Sequence, residues 1–159
     1  MEVCKKHFPD LYGSFEDKRV DLRIEDGVKY IKTTKEKFDL VIIDSTDPVG
    51  PAEGLFMEDF YKAIKNVLSN DGIVVTQSGS PFYQPKALQM AHSGMKKVFT
   101  TVRPYTAFIP TYPSGFWSFT MGLDYVPELR GSDVASGKYF NRDVLDGTFK
   151  LPQFVKDLL

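Results

Sequence analysis

The chain has 159 residues, of which 42% are apolar and 14% aromatic, enough to bury the core of one ordinary domain. Its 20 basic and 21 acidic side chains leave a net charge of −1 at pH 7, so no basic field attracts nucleic acid or an anionic membrane. No apolar run approaches the ~20 residues that span a bilayer, and the N-terminus lacks a signal-peptide pattern. These features predict a cytoplasmic protein that binds neither nucleic acid nor membrane.

Cysteines and histidines are too few to indicate a metal centre. Cys4 is the only cysteine, and His7 and His92 are the only histidines. No internal disulfide and no Cys/His cluster at metal-ligand spacing is therefore expected. The sequence predicts no metal site, no catalytic triad around either histidine, and a packing role for Cys4.

The first predicted elements are two strands, a helix and a third strand. Residues 19–27, RVDLRIEDG, alternate apolar and charged side chains before an Asp-Gly turn, as in a half-exposed strand. Residues 38–44, FDLVIID, are almost continuously apolar, which predicts a strand covered on both faces. Apolar residues at three- and four-residue steps predict a helix over Met57–Leu68,. The segment SNDG is expected to end that helix before a buried strand, IVVTQS, at 73–78.

The second half continues the same alternation. Pro85 is suited to the start of a helix, which we expect to run to about Lys97,. Two strands within 98–109 and 116–123 are expected to pair as a hairpin-like unit. The polar segment 127–141 predicts a surface loop, and residues 151–159 predict a short amphipathic helix that docks on the sheet and carries no chemistry.

Strands that alternate with helices indicate an α/β fold with a doubly wound sheet. Ligands of such sheets bind in the crevice beyond the carboxyl ends of the strands. Asp26 and Asp44 both stand at predicted strand ends, and Asp47 follows in a loop with Glu53 close by. We therefore expect these acids to share one crevice. For any one of them, the alternative is a turn or helix-cap residue, the commoner role of an isolated aspartate at a strand end.

The acids at this crevice indicate a cationic ligand. A phosphate would need backbone N–H groups and Lys or Arg, but the loop after Asp44 contains neither a Walker pattern nor a basic residue,. An amine or a sulfonium compound therefore fits better than a phosphate. Tyr112, in the PTYPSG loop at 110–115, can offer a hydroxyl and an aromatic wall to a cation. Simple core packing is expected of its aromatic neighbours, Tyr105, Phe108, Phe116 and Trp117.

Four segments resemble, in order, the consecutive signatures of spermidine synthase, a polyamine aminopropyltransferase family. They are DGVKYI at 26–31, DLVIIDSTDPVGPAEGLF at 39–56, GIVVTQSGSP at 72–81 and IPTYPSGFWSF at 109–119. The resemblance implies a Rossmann-like, methyltransferase-type doubly wound sheet. It also implies transfer of the aminopropyl group of decarboxylated S-adenosylmethionine to putrescine, giving spermidine and methylthioadenosine. Decarboxylated S-adenosylmethionine is a co-substrate, the family needs no prosthetic group, and its full-length members are expected to be homo-oligomers.

The resemblance implies a set of residues around the adenosyl group. Asp26 would accept a hydrogen bond from the adenine amino group, and Gly27 would allow close approach of the backbone. Pro51, Ala52 and Leu55 would line the adenine.

A second set would surround the amine. Asp44 would be the catalytic carboxylate beside the attacking nitrogen, and Asp47, Gln77 and Tyr112 would shape and hold the diamine channel. This role of Asp44 has a physical reason. An alkylammonium, with a pKa of about 10, is protonated at pH 7 and has no lone pair until a base removes a proton. A carboxylate held at the end of a rigid strand can accept that proton.

The match covers only the C-terminal part of the family chain. The family's N-terminal β-domain, glycine-rich nucleotide loop and ribose-binding glutamate have no counterpart in this sequence. Residues 1–159 are thus expected to form the C-terminal portion of a spermidine synthase catalytic domain whose first strands are absent. Two absent strands would normally separate VDLRI from FDLVIID, and their loss would leave an apolar, aggregation-prone edge.

Two alternative functions fit part of the sequence. An S-adenosylmethionine-dependent putrescine N-methyltransferase would share the fold, but Asp44, Asp47 and the intact PTYPSG segment favour aminopropyl transfer. A non-catalytic subunit or remnant of a synthase would explain the missing cofactor half, but not the retained acids. The reaction product, methylthioadenosine or S-adenosylhomocysteine, distinguishes the two enzymes.

Overall fold

The computed structural model of the protein describes residues 2–8, 13–45, 54–127 and 137–159. The described helices are α1 (Glu2–His7), α2 (Gly27–Thr33), α3 (Glu58–Val67), α4 (Pro85–Lys96), α5 (Arg142–Thr148) and α6 (Gln153–Lys156), with a 3-10 helix at Gly13–Glu16. The described strands are β1 (Phe38–Ile43), β2 (Leu68–Gln77), β3 (Thr101–Phe108) and β4 (Phe116–Leu123). The predicted helix from Pro85 is confirmed almost to the residue.

The four strands form one mixed sheet in the order β1-β2-β4-β3. β1 and β2 are parallel, with Ile43 opposite Thr76. β4 runs antiparallel to β2 and forms a hairpin with β3, as the sequence predicted. Because of these directions, the ends of β1, β2 and β3 and the start of β4 all lie at one edge of the sheet.

Helices cover the sheet on both faces, which confirms the predicted α/β class. On one face, α3 and α4 enclose a core whose buried members include Phe60, Tyr61, Ile64, Val74, Met95 and Phe99. Strand alternation points Tyr105 to the other face, where its ring stacks on Phe119 at 5.3 Å and lies 5.5 Å from Phe149, the residue after α5. The sheet is nevertheless partial, since it has four described strands.

β2 begins earlier than the sequence predicted. SNDG was expected to separate α3 from the next strand, but β2 starts at Leu68 and includes it. The pairing shifts between Phe38↔Leu68 and Leu40↔Ile73, so the regular register of the two strands is interrupted at this segment. A Cβ at Gly72 would lie 3.0 Å from the Phe38 carbonyl oxygen. Glycine therefore allows this segment to pack closely against β1.

Two further strand predictions were wrong. Residues 20–25 alternate as a strand would, but they form no strand and are exposed, because alternation specifies a strand only where a neighbouring strand supplies the pairing. β1 was expected to be covered on both faces, yet Leu40 is 52% exposed and Ile42 is 68% exposed. Among the described strands, β1 pairs only with β2, so one of its edges and much of its outer face remain uncovered.

The C-terminal helix docks as predicted. Val155 in α6 is fully buried, and the Phe154 ring packs 5.7 Å from Phe82 and 6.1 Å from Phe116. Most of the predicted surface loop at 127–141 lies outside the described residues.

Candidate functional site

Two parallel strands deliver the first site residues to the same edge of the sheet. Ile43 is opposite Thr76 in the ladder that joins β1 to β2. Asp44 follows Ile43, and Gln77 follows Thr76. Asp44 and Gln77 therefore leave adjacent strands at the same level, where ligands of α/β sheets bind.

On one side of Asp44 lies a largely apolar cavity of about 540 Å³, which we call the α2 cavity. Asp26 and Gly27 at the start of α2, Asp44 after β1, and Leu55 before α3 all line it. Leu55 is half-buried and packs against the hydrophobic core. The structure thus brings together four residues that the resemblance assigns to two different roles.

Asp26 caps α2, as expected of an isolated aspartate at this position. Its Oδ1 accepts hydrogen bonds from the backbone N–H groups of Val28 at 2.9 Å and Lys29 at 3.0 Å. Both bonds end on Oδ1, so Oδ2 takes no part in the cap. A Cβ placed on Gly27 meets no described atom within 4 Å. The space beside the capping carboxylate is therefore open at Gly27.

On the other side of Asp44 lies a smaller cavity of about 230 Å³, which we call the aromatic cavity. Gln77, Tyr112 and Trp117 line it together with Asp44. The same four residues also line a wider recess of about 550 Å³, to which Ser45 and Gln84 contribute. Asp44 is exposed and borders all three spaces, so it stands between the α2 cavity and the aromatic cavity.

Gln77 joins the end of β1 to β4. Its Nε2 donates a hydrogen bond to the Ser45 carbonyl, and its Oε1 accepts one from the Trp117 indole N–H at 2.9 Å. Trp117 is only 7% exposed. It stacks on Tyr112, with ring centroids 4.2 Å apart and an interplanar angle of 20°. These contacts join Gln77 and Tyr112, which sequence reasoning assigned to the amine, through Trp117.

A tight turn fixes the loop that carries Tyr112. The Ile109 N–H donates to the Gly115 carbonyl at 2.7 Å, and the Gly115 N–H donates to the Tyr112 carbonyl at 2.9 Å. Gly115 has a φ of +66°, and a Cβ there would lie 2.2 Å from the Phe108 ring. Glycine is therefore required at position 115, both for the left-handed backbone and for the close approach of Phe108.

Three site residues of the sequence analysis, Asp47, Pro51 and Ala52, lie outside the described residues, as does Glu53. Trp117 is buried, as the packing expectation required, but it also lines the aromatic cavity, which sequence reasoning missed. The informative signal would have been its position two residues before Phe119, which pairs with Gln77. That register cannot be read from the chain alone.

Within 2–8, 13–45, 54–127 and 137–159, no three Asp, Glu, His or Cys side chains are grouped so that they could hold a metal ion. None of the described helices combines the length and apolar character needed to cross a bilayer.

Comparison with known proteins identifies close relatives of the whole chain. A polyamine aminopropyltransferase of Thermoplasma volcanium is 62% identical over 159 residues, and one of Thermoplasma acidophilum is 58% identical over the same length. The match covers 100% of this chain and 58% of each relative. The chain therefore spans somewhat more than half the length of the curated relatives it matches.

Solved structures agree with the sequence comparison. A spermidine synthase in complex with the transition state analogue AdoDATO superposes with a TM-score of 0.87 at 36% identity, over 99% of this chain and 57% of that chain. The spermidine synthase of Thermotoga maritima gives a TM-score of 0.84 at 36% identity, over 99% and 56%. Human methyltransferase-like protein 13, with a TM-score of 0.54 at 16% identity over 99% and 67%, shares the fold alone.

The family model described as "Spermine/spermidine synthase domain" matches residues 1–130. This match covers most of the chain and includes Asp26, Asp44, Gln77 and Tyr112. The chain belongs to the spermine/spermidine synthase domain family.

Proposed function

We propose that the protein containing this chain transfers the aminopropyl group of decarboxylated S-adenosylmethionine to putrescine, giving spermidine and methylthioadenosine. The observation that supports this function best is the position of Asp44. Its carboxylate borders an apolar cavity of about 540 Å³ on one side and an aromatic cavity of about 230 Å³ on the other. Transfer between two substrates requires that the attacking amine, its proton acceptor and the reacting carbon be held close together, and Asp44 places a proton acceptor where the two cavities adjoin.

The chemistry requires a base but no redox step. The attacking amine loses a proton to the Asp44 carboxylate, and its lone pair forms a bond to the aminopropyl carbon next to the sulfonium. The bond from that carbon to sulfur breaks. Its electron pair goes to sulfur, which becomes the neutral thioether of methylthioadenosine. A positioned base of this kind accelerates a reaction about 10²–10⁴-fold.

The α2 cavity is the proposed adenosyl site. The Asp26 carboxylate, whose Oδ2 takes no part in the helix cap, accepts a hydrogen bond from the adenine amino group, and Gly27 leaves room for the ring. Leu55 contributes apolar surface. Pro51 and Ala52 are proposed to complete the adenine contacts. A solved relative at 36% identity carries a bound transition state analogue, which supports an adenosyl ligand in this fold.

The aromatic cavity is the proposed diamine site. Tyr112 offers an aromatic face to a cationic chain, and Gln77 fixes the floor of the site through Ser45 and Trp117. Asp47 is proposed to pair with the distal ammonium. The relatives at 62% and 58% identity are named aminopropyltransferases, which favours this reaction over methyl transfer to putrescine. We further propose that the protein acts in the cytoplasm as a homo-oligomer.

The test is a chimera that joins this chain to the part of the Thermoplasma volcanium relative that it does not span. Purified chimera, free of host synthase, is incubated with putrescine and either decarboxylated or intact S-adenosylmethionine. We expect spermidine and methylthioadenosine from the decarboxylated donor only. Formation of S-adenosylhomocysteine and methylated putrescine would replace this proposal with methyl transfer. The absence of any product would support a non-catalytic chain, provided that the unaltered relative is active in the same assay.

A further inference from the structure

We propose that Trp117 is a positioning residue of the amine site, which holds the Gln77 amide in one orientation and supports the Tyr112 ring beside Asp44. This inference rests on the proposed function, because it concerns how the diamine site keeps its shape. It gives Trp117 no reacting role. Its effect passes through the two side chains that it contacts.

The first step of the argument is the direction of the hydrogen bonds. An indole N–H can only donate, so Trp117 must face the carbonyl oxygen of the Gln77 amide, at 2.9 Å. The Gln77 NH₂ group then points to the Ser45 carbonyl. Turning the amide by 180° would set one N–H against another and leave the Ser45 carbonyl facing an oxygen. Trp117 thus selects one of two otherwise similar orientations.

The selected orientation matters because Ser45 follows Asp44. β1 ends at Ile43, so Asp44 and Ser45 lie just beyond the strand. The Gln77 amide supplies a contact between the two strands there, by donating a hydrogen bond to the Ser45 carbonyl. Trp117, buried in β4 with 7% exposure, therefore stabilises the direction in which Asp44 leaves β1.

The second step is the stack between Trp117 and Tyr112. The ring centroids are 4.2 Å apart and the interplanar angle is 20°, which is a close stacked contact between the two aromatic faces. Tyr112 is 47% exposed and lies in a loop, so Trp117 provides its fixed support. The single indole thus contacts both walls of the aromatic cavity, one by a hydrogen bond and the other by its face.

Two substitutions separate these contacts in the chimera. Trp117→Phe retains an aromatic partner for Tyr112 and removes the N–H donor. We expect it to raise the KM for putrescine about 3- to 10-fold, with a smaller effect on kcat and none on the affinity for methylthioadenosine. Trp117→Leu removes both contacts, and we expect an increase of about 10- to 100-fold. Phe116→Leu, in the same strand and packed on Phe154, is the matched control for lost aromatic bulk.

A double substitution provides the decisive readout. If Trp117 acts through the Gln77 amide, Trp117→Phe should have little further effect once Gln77→Leu has removed that amide. Additive losses would overturn the positioning role. So would a Trp117→Leu variant with unchanged KM, or one that loses methylthioadenosine affinity by the same factor as putrescine.

Fluorescence tests the site without turnover. Trp117 is the only tryptophan of the chain, so it alone emits when any tryptophan in the added part of the chimera is replaced by phenylalanine. With methylthioadenosine present, putrescine should change its emission, and Tyr112→Ala should reduce that change. Unchanged emission on saturation with putrescine would overturn the inference. A chimera that shows the emission change but makes no spermidine would contradict only the proposed function.

Discussion

The side-chain amide of Gln77 donates a hydrogen bond to the carbonyl of Ser45, and this contact joins two neighbouring parallel strands just beyond the end of their ladder. Asp44 lies between the last ladder residue of β1 and this contact. The residues before and after the proposed base are therefore both held, Ile43 by the ladder and Ser45 by Gln77. A carboxylate on such a support is suited to proton transfer at a fixed position.

Asp44→Asn in the chimera is expected to reduce turnover by about 10²–10⁴, with little change in affinity for methylthioadenosine. The amide has nearly the shape of the carboxylate but cannot accept the proton of the ammonium. Steady-state kinetics measures the first effect, and calorimetry measures the second. Near-normal turnover combined with lost methylthioadenosine affinity would assign Asp44 to the adenosyl site instead.

Asp26→Ala is expected to weaken binding of methylthioadenosine by about 1–3 kcal/mol, because the adenine amino group would lose its acceptor. The same change removes the N-cap of α2 and should lower stability by about 1 kcal/mol. Asp26→Ser separates the two effects, since serine caps a helix but carries no carboxylate. Calorimetry should therefore show weakened methylthioadenosine binding for both variants. Thermal unfolding should show lower stability for the alanine variant only. Full affinity in the serine variant would exclude Asp26 from adenine recognition.

The 159-residue chain by itself is expected to make little spermidine. It spans 58% of the length of its relatives, and the resemblance places the glycine-rich loop and the ribose-binding glutamate outside it. An error of about 1 Å in the position of the reacting carbon can cost on the order of 10² in rate. The assay compares equal amounts of this chain and of the chimera. Equal turnover would show that the chain supplies a complete site.

Self-association of the isolated chain is expected, because β1 exposes Leu40 and Ile42 and, among the described strands, pairs on one edge only,. Leu40→Lys should reduce it, since a charge on an edge strand opposes pairing. Val126→Lys is the matched control, because Val126 is 83% exposed outside the sheet. Light scattering over a concentration series measures the effect. Equal association of the two variants would place the contact elsewhere.

Asp124→Asn is expected to lower stability at pH 7 by about 1 kcal/mol. Asp124 accepts from Lys65 at 2.9 Å and from the Thr100 N–H and hydroxyl at 3.1 Å each. Burial raises the pKa of Asp124, but these hydrogen bonds outweigh it and hold the pKa below its ordinary value. The folded-state pKa is thus the lower one.

The ionised Asp124 carboxylate therefore contributes stability above its unfolded pKa of about 4, and this contribution is lost as the pH falls through the folded value. Chemical denaturation of the two proteins at pH 7 and near pH 3 measures the difference. The stability gap should narrow at the lower pH. A gap that is independent of pH would mean that packing, and not charge, explains the loss.

The parts of the fold that follow from local periodicity could be predicted from the sequence. The helix at Pro85–Lys96 and the hairpin of β3 and β4 depend on short-range patterns and turn residues. Residues 20–25 could not, because the same alternation describes a strand and an exposed segment, and only a pairing partner decides between them. Among the site residues, Trp117 was missed because its contact with Gln77 depends on the register between β2 and β4, which a single sequence does not specify.

The two proposed substrate sites should differ in local stability, because the chain around Tyr112 belongs to a hairpin. Tyr112 and Trp117 belong to a hairpin whose strands pair along their whole length, whereas the α2 cavity is bounded by β1, with its exposed face, and by the short helix α2. Amide hydrogens of the hairpin should therefore exchange with solvent more slowly than those around Asp26. Local opening around the α2 cavity would leave Tyr112 and Trp117 in place. The diamine would therefore meet a preformed surface, whereas binding of the adenosyl group would order its own site.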